Sequence, residues 1–411
     1  MMNESTGVTP ASPGWSERCL AVARVSALAA VAAVPFSTAL TGIAYAILVA
    51  SWAVSGRVLA TLNSSLRHPF GLALLVFLVI ATVGMFYSTV PWPDRLDALW
   101  GWRRLGYALI LLGLFANDDW KRRFVGVFVL AASLGLCLSF LAWAGVVPSK
   151  PGHPVGVLLQ NHATQGIVFS LAILCSAFLA KNALRKQRWG LLGLAILFAV
   201  NVVFVTPGRS GYVALFVAIL VCGAMISGWR RIFIWLPVTL VLAGLAFVSS
   251  STVRDRVMQG FDEIVKVDDS PALTSMGIRA VLYTTTLELI RERPVAGHGT
   301  GSFGKEYSAV VARRYSDWRA TPSTDPHNQY LFVAMELGVF GLAAFVAMLT
   351  AAFLAARETP YGWIAGGALA IWCVTSLFSS HFRTFPEGHL IGLFLGVMLA
   401  RAPQAPSASG S

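Results

Sequence analysis

Three side chains in this sequence are of types that could act together on a phosphate-bearing substrate. His327 lies in Pro326-His-Asn328, at the start of a long apolar run. Asp325 is a candidate N-cap and Pro326 suits a first helical position, so His327 is expected in the first turn of that helix. The positive end of a helix disfavours imidazolium, and a neutral imidazole can serve as a general base. Arg209 sits in Pro207-Gly-Arg-Ser-Gly211, a tight junction between two apolar runs. A guanidinium grips phosphate through paired N–H groups, and the glycines and opening turn of the next helix give an anion room. Arg279 lies in Gly277-Ile-Arg-Ala-Val-Leu-Tyr283. Each also has an ordinary use. A lone histidine more often caps a helix or lies at an interface, an arginine at a membrane edge can snorkel, and Arg279 could be a solvated charge.

Weaker candidates lie near the same side of the chain. Asn161 and His162 open one apolar run, Arg103 and Arg104 lie near the end of another, and His381 and Arg383 share a short turn. His298 falls in Gly297-His-Gly-Thr-Gly-Ser-Phe-Gly304, Asn328 follows His327, and Glu336 is an acid well inside an apolar run. An acid at that depth is by default paired or functional. The stretch from Gly299 to Gly304 fits GxGxxG, but no strand–helix–strand unit surrounds it, so a dinucleotide site is excluded and a flexible turn expected. No HExxH, CxxC or other metal-ligand spacing occurs, and no metal site is expected. The five cysteines, Cys19, Cys137, Cys175, Cys222 and Cys373, lie in or beside apolar runs and suggest neither disulfide nor metal.

What must position these residues is a bundle of membrane helices. The chain has 411 residues, 56% hydrophobic and 12% charged, with mean hydropathy +0.69. Its repeated apolar runs are continuous rather than alternating, so helices are the spanning element. Twelve can be drawn, near 19–35, 38–56, 69–88, 100–117, 123–145, 161–180, 189–206, 210–227, 231–248, 327–355, 361–380 and 387–401. The net charge of +12 does not argue for nucleic acid. Basic residues collect instead in alternate short loops, as cytoplasmic loops do. That asymmetry puts both termini in the cytoplasm and the segment 249–326 outside. The opening segment, Met1–Glu17, is too polar for a cleavable signal, and 402–411 is expected to be a disordered tail. The organisation is thus nine spans in 1–248, a periplasmic loop in 249–326 and three spans in 327–401. The loop carries ten Lys/Arg and ten Asp/Glu. It should hold one helix near 276–292, ended by Pro294 and its glycines, and a second near 305–318.

The ordered set of motifs resembles the O-antigen ligase/polymerase superfamily of bacterial envelope glycosyltransferases. The set is Pro207-Gly-Arg-Ser-Gly211, Gly277-Ile-Arg279, Arg293-Pro-Val-Ala-Gly-His-Gly-Thr-Gly-Ser-Phe303, Pro326-His-Asn-Gln-Tyr-Leu331 and Glu336-Leu-Gly338. The resemblance implies an all-α, GT-C-like enzyme of the bacterial inner membrane. It implies a donor glycan on undecaprenyl diphosphate, an active site on the periplasmic face and no metal or other cofactor. Carried over by motif, Arg209 and Arg279 would hold the diphosphate and His327 would serve the acceptor hydroxyl. One large loop and no extra carboxy-terminal region resemble the ligase, whose acceptor is lipid A–core. A polymerase and a protein O-oligosaccharyltransferase are the alternatives. A transporter is the rival from another class. It is disfavoured because the sequence shows no repeated half and few charges inside its spans.

Overall fold

The computed structural model describes residues 14–181, 183–265 and 274–401. Among these residues every regular element is a helix. The first seven are α1 (Trp15–Ala33), α2 (Thr38–Val54), α3 (Val58–Leu66), α4 (Pro69–Tyr87), α5 (Trp92–Gly101), α6 (Arg103–Leu114) and α7 (Asp118–Trp143). They lead to α8 (His162–Lys181), α9 (Arg185–Phe204), α10 (Arg209–Ser227) and α11 (Ile232–Ser249). The described residues of the polar segment hold three α-helices: α12 (Ser251–Val265), α13 (Ser275–Glu292) and α14 (Phe303–Arg314). The last three are α15 (Gln329–Ala356), α16 (Gly362–Thr375) and α17 (Phe385–Met398).

Among the described residues seven helices are long and apolar enough to cross a membrane, or up to eight if the bent pair α2 and α3 is one span. Of the other runs drawn from the sequence, the one at 19–35 is the single helix α1. The run at 100–117 divides between α5 and α6, and α16 and α17 have only 14 residues each. The two expected loop helices are present as α13 and α14. The α12 helix was not expected there, although Val253, Val257 and Phe261 recur every four residues along one face. The tail expected at 402–411 lies outside the described residues.

Two close approaches fix the frame of the site. A Cβ on Gly166 would lie 2.5 Å from the Cα of Gly211, so α8 and α10 cross with backbones in contact. That crossing pins the first turn of α10, which begins at Arg209. The second approach is a break in α15 at Gly338, where φ is 64°. A helix broken inside its length leaves carbonyls that need donors. The amides of His298 and Gly299 supply them, to Met335 and Glu336 oxygens at 3.0 and 2.8 Å, and Val339 N–H bonds the Pro294 carbonyl at 2.9 Å. The turn expected to be flexible is therefore docked. Its glycines at 297, 299 and 301 have φ of 72°, 93° and 85°. A Cβ on Gly297 would stand 2.5 Å from the Glu336 carbonyl. Glu336 is buried, and its Oε1 accepts from Gly301 N–H at 3.1 Å. Thr300 fastens the turn to α4 through Ala81 and Gly84 oxygens.

Candidate active site

Arg209 and Arg279 reach one cleft from two different helices. Arg209 is the first residue of α10, and Arg279 lies one turn into α13. The cleft has a volume of about 540 Å³. Its walls are mostly apolar, with Val213, Val257, Phe261, Met276, Ala280 and Phe378 around the two guanidiniums and Tyr283. Tyr283 follows Arg279 by four residues and so shares its helix face. Burial lowers the Arg279 guanidinium from its ordinary value, opposed by Tyr283 and reinforced by the like charge of Arg209. An arginine so placed keeps its charge near neutrality.

Arg209 is held by the loop. Its Nη2 lies 3.4 Å from Glu263 Oε2, with 30% of the arginine side chain and 7% of the glutamate side chain exposed. Its Nε also donates to the Arg256 carbonyl at 3.3 Å and its Nη1 to Ser275 Oγ at 3.3 Å. Glu263 accepts further bonds from Gln259 Nε2, Ser275 Oγ and Met276 N–H. Burial pushes the Glu263 carboxyl up. The Ser275 hydrogen bond and the Arg209 charge outweigh that and hold it below its ordinary value. Sequence reasoning did not pick out this acid. Its signal was its place on the apolar-faced α12 segment, fourteen residues past Ser249, where the polar stretch starts.

His327 does not lie in a helical first turn. The helix opens at Gln329 because Asn328 is its N-cap, taking Tyr330 and Leu331 N–H groups on Oδ1 at 3.0 and 3.1 Å. Asp325 serves the turn before it instead, where its Oδ1 accepts from His327 N–H at 2.8 Å. His327 is exposed and has φ of 54°, the one non-glycine residue with positive φ among those described. That conformation costs a β-carbon-bearing residue of order 1 kcal/mol. The backbone is fixed on both sides. Asp325 Oδ1 also accepts from Ser380 Oγ at 2.6 Å. On the other side the Tyr283 hydroxyl lies 3.2 Å from the His327 carbonyl and 2.8 Å from the Leu377 carbonyl.

The remaining candidates divide into groups. Asn161 caps α8 by accepting from Thr164 N–H at 2.9 Å. The neighbouring His162 is exposed, and its Cδ2 would lie 3.0 Å from a Cβ on Gly208, so both stand beside the start of α10. Asn328 donates to the Leu377 carbonyl at 3.2 Å and belongs to the His327 turn. Arg103, Arg104 and Arg383 do not line the cleft. Arg103 lies over Trp100, Arg104 beside Phe385, and Arg383 over Phe332 at 4.2 Å. His298 is buried, with Nε2 2.8 Å from the Leu289 carbonyl, and turns into the loop's own core. His381 is buried near Asp325, His327 and Glu387, and burial lowers its imidazole from its ordinary value. Among the described residues no three His, Cys, Asp or Glu side chains are grouped as metal ligands.

A helical chain with seven or more span-length apolar helices and a polar segment folded over one end is a multi-pass membrane protein. Residues 194–346 match the family described as O-antigen ligase. The matched segment contains Arg209, Arg279 and His327 and the whole polar loop between them. No curated protein matches the chain. A chain from a solved structure, described as "Structural coordination of polymerization and crosslinking by a peptidoglycan synthase complex", overlays with TM-score 0.44 at 18% identity, covering 80% of this chain and 96% of that one. That likeness carries no argument about activity.

Proposed function

We propose that this protein is an O-antigen ligase, a metal-independent, GT-C-like glycosyltransferase of the bacterial inner membrane. It would move O-antigen polysaccharide from undecaprenyl diphosphate to a sugar hydroxyl of lipid A–core on the periplasmic face. The match of residues 194–346 to the O-antigen ligase family supports the transferase class. The observation that carries the donor assignment is the pair Arg209 and Arg279 in one apolar-walled cleft. A lipid diphosphate presents an apolar tail and a compact anionic head, and this cleft offers apolar walls and two guanidiniums.

In the proposed reaction His327 takes the proton from the acceptor hydroxyl. The oxygen attacks the anomeric carbon of the donor sugar, forming the new glycosidic bond. The bond from that carbon to the diphosphate oxygen breaks, and its electron pair stays on the diphosphate. Arg209 and Arg279 neutralise the charge growing there, the kind of electrostatic support that usually dominates. One displacement inverts the anomeric centre and needs no second carboxylate.

The test is to mix purified protein with lipid A–core and an undecaprenyl-diphosphate glycan, without added metal, and separate the products on a gel. Glycan shifted onto lipid A–core is the expected result. Longer chains left on the lipid carrier would make the protein a polymerase. No transfer to any acceptor would remove the enzyme reading.

A further inference from the structure

We propose that Tyr283 and Asp325 are positioning residues that hold the His327 backbone in its left-handed conformation and tie it to the cleft bearing Arg209 and Arg279. This rests on the transferase reading above and adds how the two halves of the site are kept in register.

The geometry is two-sided. The amide of His327 is taken by Asp325 Oδ1 at 2.8 Å, and its carbonyl faces the Tyr283 hydroxyl at 3.2 Å. Asp325 is also fastened to the turn between α16 and α17 through Ser380 Oγ, and the one Tyr283 O–H is shared with the Leu377 carbonyl of that turn at 2.8 Å. Asn328 Nδ2 reaches the same Leu377 oxygen, and Gln329 N–H bonds the Ser376 carbonyl at 2.9 Å. The histidine turn is thus sewn to that turn along its length. A left-handed residue bearing a Cβ persists where its surroundings over-determine it, and such positions gather at functional sites.

Tyr283 has a second face. It lines the cleft, four residues along α13 from Arg279. Burial raises its hydroxyl from the ordinary value, so it stays protonated and available as a donor at neutral pH. An anion drawn to Arg279 therefore bears on the helix whose next turn holds the His327 carbonyl. Asp325 acts as an acceptor of two hydrogen bonds, which an amide oxygen can also accept.

The experiment measures donor KM and kcat separately for wild type and for Tyr283→Phe, Asp325→Ala, Asp325→Asn and His327→Ala. Tyr283→Phe keeps the ring and removes only the hydroxyl. It is expected to lower kcat roughly 10- to 100-fold, the scale of a misplaced catalytic group, with donor KM within about twofold of wild type. Asp325→Ala should do the same, and Asp325→Asn should recover most of the rate. Wild-type kcat in Tyr283→Phe would overturn the proposal, as would a raised donor KM with kcat intact. An Asp325→Asn as slow as Asp325→Ala would overturn the backbone role, since the charge would then be what matters. The two failures separate cleanly. If wild type does not transfer glycan, the transferase reading falls; if wild type transfers and His327→Ala does not, while both positioning variants behave as wild type, only the positioning proposal falls.

Discussion

The guanidinium of Arg209 meets the carboxylate of Glu263 at 3.4 Å, joining the first residue of a membrane helix to the polar segment folded over it. The pair ties that segment to the start of α10 and sets a carboxylate beside one of the two cleft guanidiniums. Glu263 is buried and accepts bonds from Gln259, Ser275 and Met276 as well, so its charge serves the loop first.

The pH dependence of that contact follows from its sign. The Glu263 carboxyl is held below its ordinary value when folded. Its contribution is therefore complete above the ordinary glutamate value, near pH ~4.3, and is lost as pH falls through the lower folded value. Protease cleavage of the 249–326 segment should stay slow from neutral pH down to about that ordinary glutamate value and rise below it. Glu263→Gln should remove this step and leave cleavage faster across the range. Equal resistance of the variant and the wild type at neutral pH would show that the ion pair does not order the segment.

His327 lends itself to a paired substitution. His327→Ala and His327→Gly both remove the imidazole, and both should abolish transfer while the protein stays in the membrane. They should differ in stability, because glycine adopts φ of 54° without the β-carbon penalty. The glycine variant is expected to be the more stable by about 1 kcal/mol in thermal unfolding. Near-normal transfer by either variant would remove the base assignment.

Lysine should be a poor substitute for either cleft arginine. Arg209→Lys and Arg279→Lys keep the charge and lose the fork that matches two phosphate oxygens. A charge-assisted contact of this kind is worth about 1.5–3 kcal/mol, so kcat/KM for the lipid-linked donor should fall roughly 10- to 100-fold in each. Steady-state kinetics with varied donor would show it. Lysine variants equal to wild type would mean that a point charge suffices.

The break in α15 depends on Gly338. A Cβ on Gly338 would stand 2.2 Å from the Val295 carbonyl oxygen, at a φ of 64°. Gly338→Ala should therefore detach the 294–301 turn and destabilise the protein by about 2 kcal/mol or more. The measurement is a thermal midpoint in detergent. An unchanged midpoint would mean that the helix can close over the break without cost.

Much of this was legible in the sequence, and the exceptions have physical causes. The span-length helices α4, α7, α8, α9, α10, α11 and α15 follow from apolar length alone. Helices α13 and α14 follow from periodicity, from Pro294 and from the glycines. The number of spans did not follow, because 14-residue helices such as α16 and α17 are apolar but short, and a run of residues does not reveal where it bends. The grouping of Arg209 with Arg279 was read through their motifs, whereas Glu263 and Tyr283 were missed. Their partners lie dozens of residues away, and only the packing of α12 and α13 over the start of α10 brings them in. The backbone of His327 could not be read either, since Asp325 and Asn328 compete for the helix cap and Asn328 takes it.

The most direct measurement of the central claim is native mass spectrometry of the purified protein with undecaprenyl diphosphate, on wild type and on Arg209→Ala/Arg279→Ala. The expected result is one retained lipid on wild type, lost in the double variant, with undecaprenyl monophosphate held more weakly than the diphosphate. Equal retention of the diphosphate by both proteins would contradict the account, because the cleft between α10 and α13 would not be where the donor's head is held.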